Sequence, residues 1–116
     1  MKLLLPIILL ISCLATADDK EATRLVVRSH LKDIRVCYES ALHAQPELNG
    51  KVVLTWKVND RGEVKSATVN ESQTTLHSTA VSACIIKQLK TWSFPAPQKG
   101  LSATINYPFL FSPIKK

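Results

Sequence analysis

Lys51-Val52-Val53-Leu54-Thr55-Trp56-Lys57-Val58, then Asn59-Asp60-Arg61-Gly62, then Glu63-Val64-Lys65-Ser66-Ala67-Thr68-Val69-Asn70-Glu71 is the stretch that decides the fold of this 116-residue chain. Its first run alternates, with Val52, Leu54, Trp56 and Val58 on one side and Val53, Thr55 and Lys57 on the other, the signature of a half-buried strand. Asn59 to Gly62 is a turn with glycine where positive φ is easiest, and Glu63 to Glu71 returns as a more polar strand carrying Val64, Ala67 and Val69. The stretch reads as a β-hairpin.

Upstream, Val27, Leu31, Ile34, Tyr38 and Ala41 recur at helical steps, which predicts one helix over Glu21–Ala44, stopped by Pro46 and Asn49-Gly50. Downstream, Ser72 to Thr75 supply candidate caps for a second helix over Leu76–Trp92, with Val81, Cys84, Ile85, Leu89 and Trp92 as its buried stripe. Pro95 and Pro97 end that helix. In Leu101–Phe111, Ala103, Ile105, Tyr107, Phe109 and Phe111 alternate with Ser102, Thr104, Asn106, Pro108 and Leu110, a final strand. The expected order is αββαβ, an α+β fold.

The first 17 residues read as an export signal. Lys2 precedes an apolar run from Leu3 to Leu14, and the small residues of Ala15-Thr16-Ala17 place cleavage before Asp18. Leu10-Ile11-Ser12-Cys13 resembles a bacterial lipobox, an alternative in which Cys13 becomes the lipidated first residue and anchors the protein in the envelope. Cleavage before Asp18 gives a domain over residues 18–116, enough for one small core, in a periplasmic or secreted protein. No later apolar run approaches the ~20 residues of a membrane span. The whole chain carries 15 basic and 9 acidic residues, and its net +6 falls to +5 when Lys2 leaves. A hydrophobic content of 46% with 3 glycines excludes a disordered chain.

Export changes how the cysteines are read. Cys37 and Cys84 remain as a pair in an oxidising compartment, where a disulfide is expected. Two buried free thiols or a metal pair are the alternatives, and no CxxC or HxxxH spacing accompanies them.

Ile34-Arg35-Val36-Cys37-Tyr38-Glu39-Ser40-Ala41-Leu42, Pro46-Glu47-Leu48-Asn49-Gly50-Lys51-Val52, Gly62-Glu63-Val64, Cys84, Trp92-Ser93-Phe94-Pro95-Ala96-Pro97 and Tyr107-Pro108-Phe109-Leu110-Phe111 form an ordered set. As a set it resembles the AgmX/PglI C-terminal domain, a TonB-like C-terminal domain associated with gliding-motility and cell-envelope proteins, from about Val27 to Phe111. The resemblance implies two helices packed on one face of a three-stranded antiparallel sheet, in a periplasmic protein-interaction module without catalysis or cofactor. It further implies an end module acting without the force-transmitting machinery, and partner recruitment through the final strand.

Strand addition is the mechanism open to such a module: an extended peptide pairs with a free sheet edge through main-chain hydrogen bonds. Thr104, Asn106, Pro108 and Leu110 are the candidate contact residues. Pro108 has no N–H and so belongs at an edge or bulge, where it either accompanies recognition or blunts the edge against unwanted pairing. A second candidate is the stripe Arg24, Arg28, Lys32 and Arg35, which could meet an anionic envelope surface or remain a solvated helix face. His30, His43 and His77 lack the partners of a nucleophile or metal centre and read as surface or capping residues. The expected compartment makes nucleic acid an improbable partner. Two classes follow: an envelope module binding a protein or extended peptide, and a small envelope-stabilising or inhibitor-like protein binding peptidoglycan or an enzyme.

Overall fold

The computed structural model describes residues 14–113. The leader through Cys13, with its lipobox, lies outside the described residues, as do the last three positions. The order is α1 (Leu14–Ser29), α2 (Leu31–Leu42), β1 (Gly50–Val58), β2 (Val64–Val69), α3 (Thr79–Leu89) and β3 (Ala103–Phe111). The α+β class stands, with three helices where two were expected.

The extra boundary falls inside the expected Glu21–Ala44 helix, at His30. The Ser29 hydroxyl donates to the Val26 carbonyl at 2.8 Å, and His30 Nδ1 lies 2.9 Å from the same oxygen. Those side chains occupy the carbonyl that the His30 amide would use in a regular helix, so that amide bonds Val27 O instead, at 3.1 Å. The turn lays the His30 ring on Trp92, with centroids 4.3 Å apart and planes 16° from parallel. Leu31, expected in the buried stripe, is left 42% exposed, while Val27, Ile34 and Tyr38 are buried.

The sheet order is β2-β1-β3, antiparallel throughout, so β1 is central and β3 forms one edge. Val52, Leu54, Trp56 and Val58 are buried in the same core as Ile34, Tyr38, Ile85 and Leu89. On the opposite face Val53 is also buried, against its expected half-polar position. The segment after β2 explains this. Asn70 N donates to Val53 O, Val53 N donates to Thr74 Oγ1, and the Thr75 and Leu76 amides donate to Lys51 O, so residues 70–76 pair beside β1 where β2 has ended.

The second expected helix is shorter than Leu76–Trp92. Ser78 caps it, accepting from Val81 N at 3.2 Å, and it ends at Leu89. Cys37 on α2 and Cys84 on α3 form a disulfide with Cα atoms 5.7 Å apart. The bridge ties two helices over the sheet. In the hairpin turn Gly62 has φ of +80°, as its turn position predicts, and its amide donates to Asn59 O.

Candidate functional site

Antiparallel pairing alternates residues that bond the neighbouring strand with residues whose N–H and C=O point away from it. Lys51 and Val53 spend their main-chain groups on residues 70–76, on the side of β1 away from β3. Their register partners on β3 are Leu110 and Pro108, and Thr104 and Asn106 fall in the same alternation opposite Lys57 and Thr55. The main-chain groups of Thr104, Asn106, Pro108 and Leu110 therefore point outward from the sheet. Three of these positions offer N–H donors and all four offer carbonyls. Pro108 occupies one of these four positions, none of which bonds β1, which explains how β3 tolerates a proline in mid-strand.

The same four residues are exposed, whereas Phe109 and Phe111 are buried and Ile105 and Tyr107 are half-buried on the helix side. Leu110 is 73% exposed, more than the other exposed large hydrophobic side chains among the described residues, Leu25, Leu31, Val36 and Leu101. Asn106 differs from its neighbours. Its side chain is engaged, accepting from Thr55 Oγ1 at 2.8 Å and reaching Gln73 Oε1 at 3.5 Å, so its main chain is what it offers at the edge.

Two grooves run between this strand and the helices. One, of about 550 Å³, has Lys20 and Arg24 of α1 facing Ala103 to Pro108. The other, of about 290 Å³, has Leu31, Ile34 and Arg35 of α2 facing Tyr107 to Phe111. Arg35 is held in place: its Nε donates to Glu39 at 3.0 Å, its Nη2 to Ser112 O at 3.0 Å, and its guanidinium carbon lies 5.6 Å from the Tyr38 ring centroid. Burial raises the Tyr38 pKa above its ordinary value, with Arg35 opposing in part. The phenol donates to Leu48 O.

The break at His30 divides the four-cation stripe. Arg24 and Arg28 lie on α1, Lys32 and Arg35 on α2. Arg24 sits 3.9 Å from Glu21, and Arg28 and Lys32 are exposed. Two of the four thus line the β3 grooves, so the separate strand and stripe candidates meet along one edge. Lys20 escaped the sequence reading although it stands one turn before Arg24. His77 lies 3.7 Å from Glu71, and His30 is committed to Trp92. Among the described residues there is no cluster of three metal-ligating side chains, and no helix long and apolar enough to cross a membrane.

No family model matches the chain, and no curated protein matches it. Among solved structures it is similar to the solution structure of the C-terminal domain of Helicobacter pylori TonB, at 16% identity and a TM-score of 0.48, over 87% of this chain and 96% of that one.

Proposed function

We propose that this chain is an exported, noncatalytic envelope module of the AgmX/PglI, TonB-like kind, which takes up an extended peptide by strand addition along β3. The observation that carries the reading is the register. An incoming strand finds donors at Thr104, Asn106 and Leu110, carbonyls at all four outward positions, and grooves on the helix side for alternate side chains. The Cys37–Cys84 disulfide supports an oxidising compartment, and the ordered motif set supports the family. In this reading the mature chain begins at Asp18, which intact-mass analysis of exported protein checks. A lipidated species beginning at Cys13 replaces that start.

The test of strand addition compares Asn106→Pro with Asn106→Ala. Both lose the bonds to Thr55 and Gln73, and only the proline loses the outward N–H. Partner capture from envelope extract should survive the alanine and fail with the proline, both variants being folded by circular dichroism. Equal capture by the two rejects strand addition at this edge.

A further inference from the structure

We infer that the segment received along β3 is short, neutral or apolar in its middle, and acidic at both ends. This rests on strand addition at that edge and deepens it by naming the chemistry of the occupant.

The argument is the placement of charge around an uncharged strand. Ala103 to Phe111 contain no ionisable group except the Tyr107 phenol. On the helix side, Lys20 and Arg24 line the groove over Ala103 to Pro108, and Arg35 lines the groove over Tyr107 to Phe111. On the other face, the register sets Lys57 beside Thr104 and Lys51 beside Leu110. Between them Thr55 and Val53 stand beside Asn106 and Pro108. On the face away from the helices cations thus bracket both ends of the edge around a neutral middle, and on the helix side cations line both grooves along it. Neither groove has a carboxylate in its lining. Glu21 and Glu39 offset Arg24 and Arg35 in part, and Lys20, Lys51 and Lys57 have no ion-pair partner among the described residues.

The geometry sets the length. Thr104 to Leu110 spans ~20 Å at strand rise, the reach of about seven residues in an added strand. Side chains turned to the helix side would meet Ile105 and Tyr107 in the middle, and carboxylates at the ends would come within range of the bracketing cations. The same charges disfavour a second copy as occupant. Antiparallel β3–β3 pairing sets Thr104 of one copy opposite Leu110 of the other, bringing Lys57 towards Lys51 and Arg24 towards Arg35. It also meets Pro108 on both strands.

The probes are two capped peptides of about seven residues alternating Val and Thr, identical except for Glu or Lys at both ends. Binding is measured by fluorescence anisotropy to the full mature chain, to Asn106→Pro, and to the double variant Lys20→Glu/Lys57→Glu, whose positions are exposed. The Glu-ended peptide should bind the parent at least about tenfold tighter than the Lys-ended one, with the preference falling in high salt and shrinking or reversing in the double variant. Equal binding of both peptides, abolished by Asn106→Pro, overturns the acidic assignment and leaves strand addition standing. Preference for the Glu-ended peptide that Asn106→Pro does not touch overturns strand addition instead. No binding of either peptide at about 1 mM rejects the assigned occupant, as does sedimentation showing the parent to be a dimer dissociated by Asn106→Pro.

Discussion

Reducing the Cys37–Cys84 bridge is the perturbation with the largest expected effect on stability. The two residues are 47 apart in sequence and join α2 to α3, with Cys37 only 4% exposed. In the chain-entropy model, opening a loop of that length releases about 4 kcal/mol of constraint from the unfolded chain, against a total of about 5–10 kcal/mol for a domain of this size. At about 4–8 °C per kcal/mol the midpoint should fall by ~16 °C or more. Urea titration of the oxidised and reduced parent chain is the direct assay, because both share every side chain. The midpoint should drop sharply, and the slope should rise as the unconstrained chain exposes more surface. A Cys37→Ala/Cys84→Ala variant should resemble the reduced parent. If reduced and oxidised protein unfold within about 1 kcal/mol of each other, the bridge does not act through unfolded-state entropy and the reasoning fails.

Three further outcomes follow from single positions. Gly62→Ala puts a Cβ against the Phe94 carbonyl in a backbone at φ +80°, and should cost about 1–3 kcal/mol by urea unfolding, whereas alanine at Gly100, which meets open space, should cost less. Tyr38→Phe leaves the Leu48 carbonyl without its donor and should cost about 1 kcal/mol; because burial raises the native phenol above its ordinary 10.0, its share of stability is full below pH 10 and is lost as pH rises through the native value, which tyrosinate titration of the folded and urea-unfolded chain can follow. Pro108→Ala adds a fourth outward N–H to β3, and should tighten peptide binding several-fold and raise self-association in sedimentation, one added hydrogen bond being about 0.5–1.5 kcal/mol.

Where a pattern was local, the sequence announced it. The alternation of Lys51 to Val58, the turn at Gly62 and the return through Val69 needed only neighbours to read, and the hairpin lies within one or two residues of expectation. Export arithmetic likewise paired Cys37 with Cys84. The helix break was hidden because the apolar steps run through His30 without interruption. What ends α1 is competition for one carbonyl, together with a stacking partner, Trp92, that lies 62 positions along the chain. Val53 was misplaced for a similar reason: its covering segment follows a different strand. At the edge, alternation identified which side chains of β3 point outward. Which main-chain groups are free depends on the order β2-β1-β3 and on residues 70–76 bonding Lys51 and Val53, and no spacing in β3 encodes either.

Recognition and protection need not compete for Pro108. An edge of nine residues with every outward amide available would invite pairing with any extended chain, including its own copies. Removing the donor at Pro108 leaves outward N–H groups at Thr104 and Asn106 on one side and at Leu110 on the other, too few to hold an arbitrary strand against the entropy of ordering it. The deficit must then be met by side-chain terms, and those available at this edge are positional: apolar grooves towards the helices and cations at both ends. A proline that weakens the generic part of the interaction raises the share contributed by the specific part, because discrimination is a difference between affinities rather than a sum of contacts. Pro108→Ala should therefore strengthen binding of the Glu-ended and Lys-ended peptides together and narrow nothing between them in free energy, while bringing the weaker one into the range where it binds at all. A widened preference in that variant would mean that the proline itself contacts the charged ends.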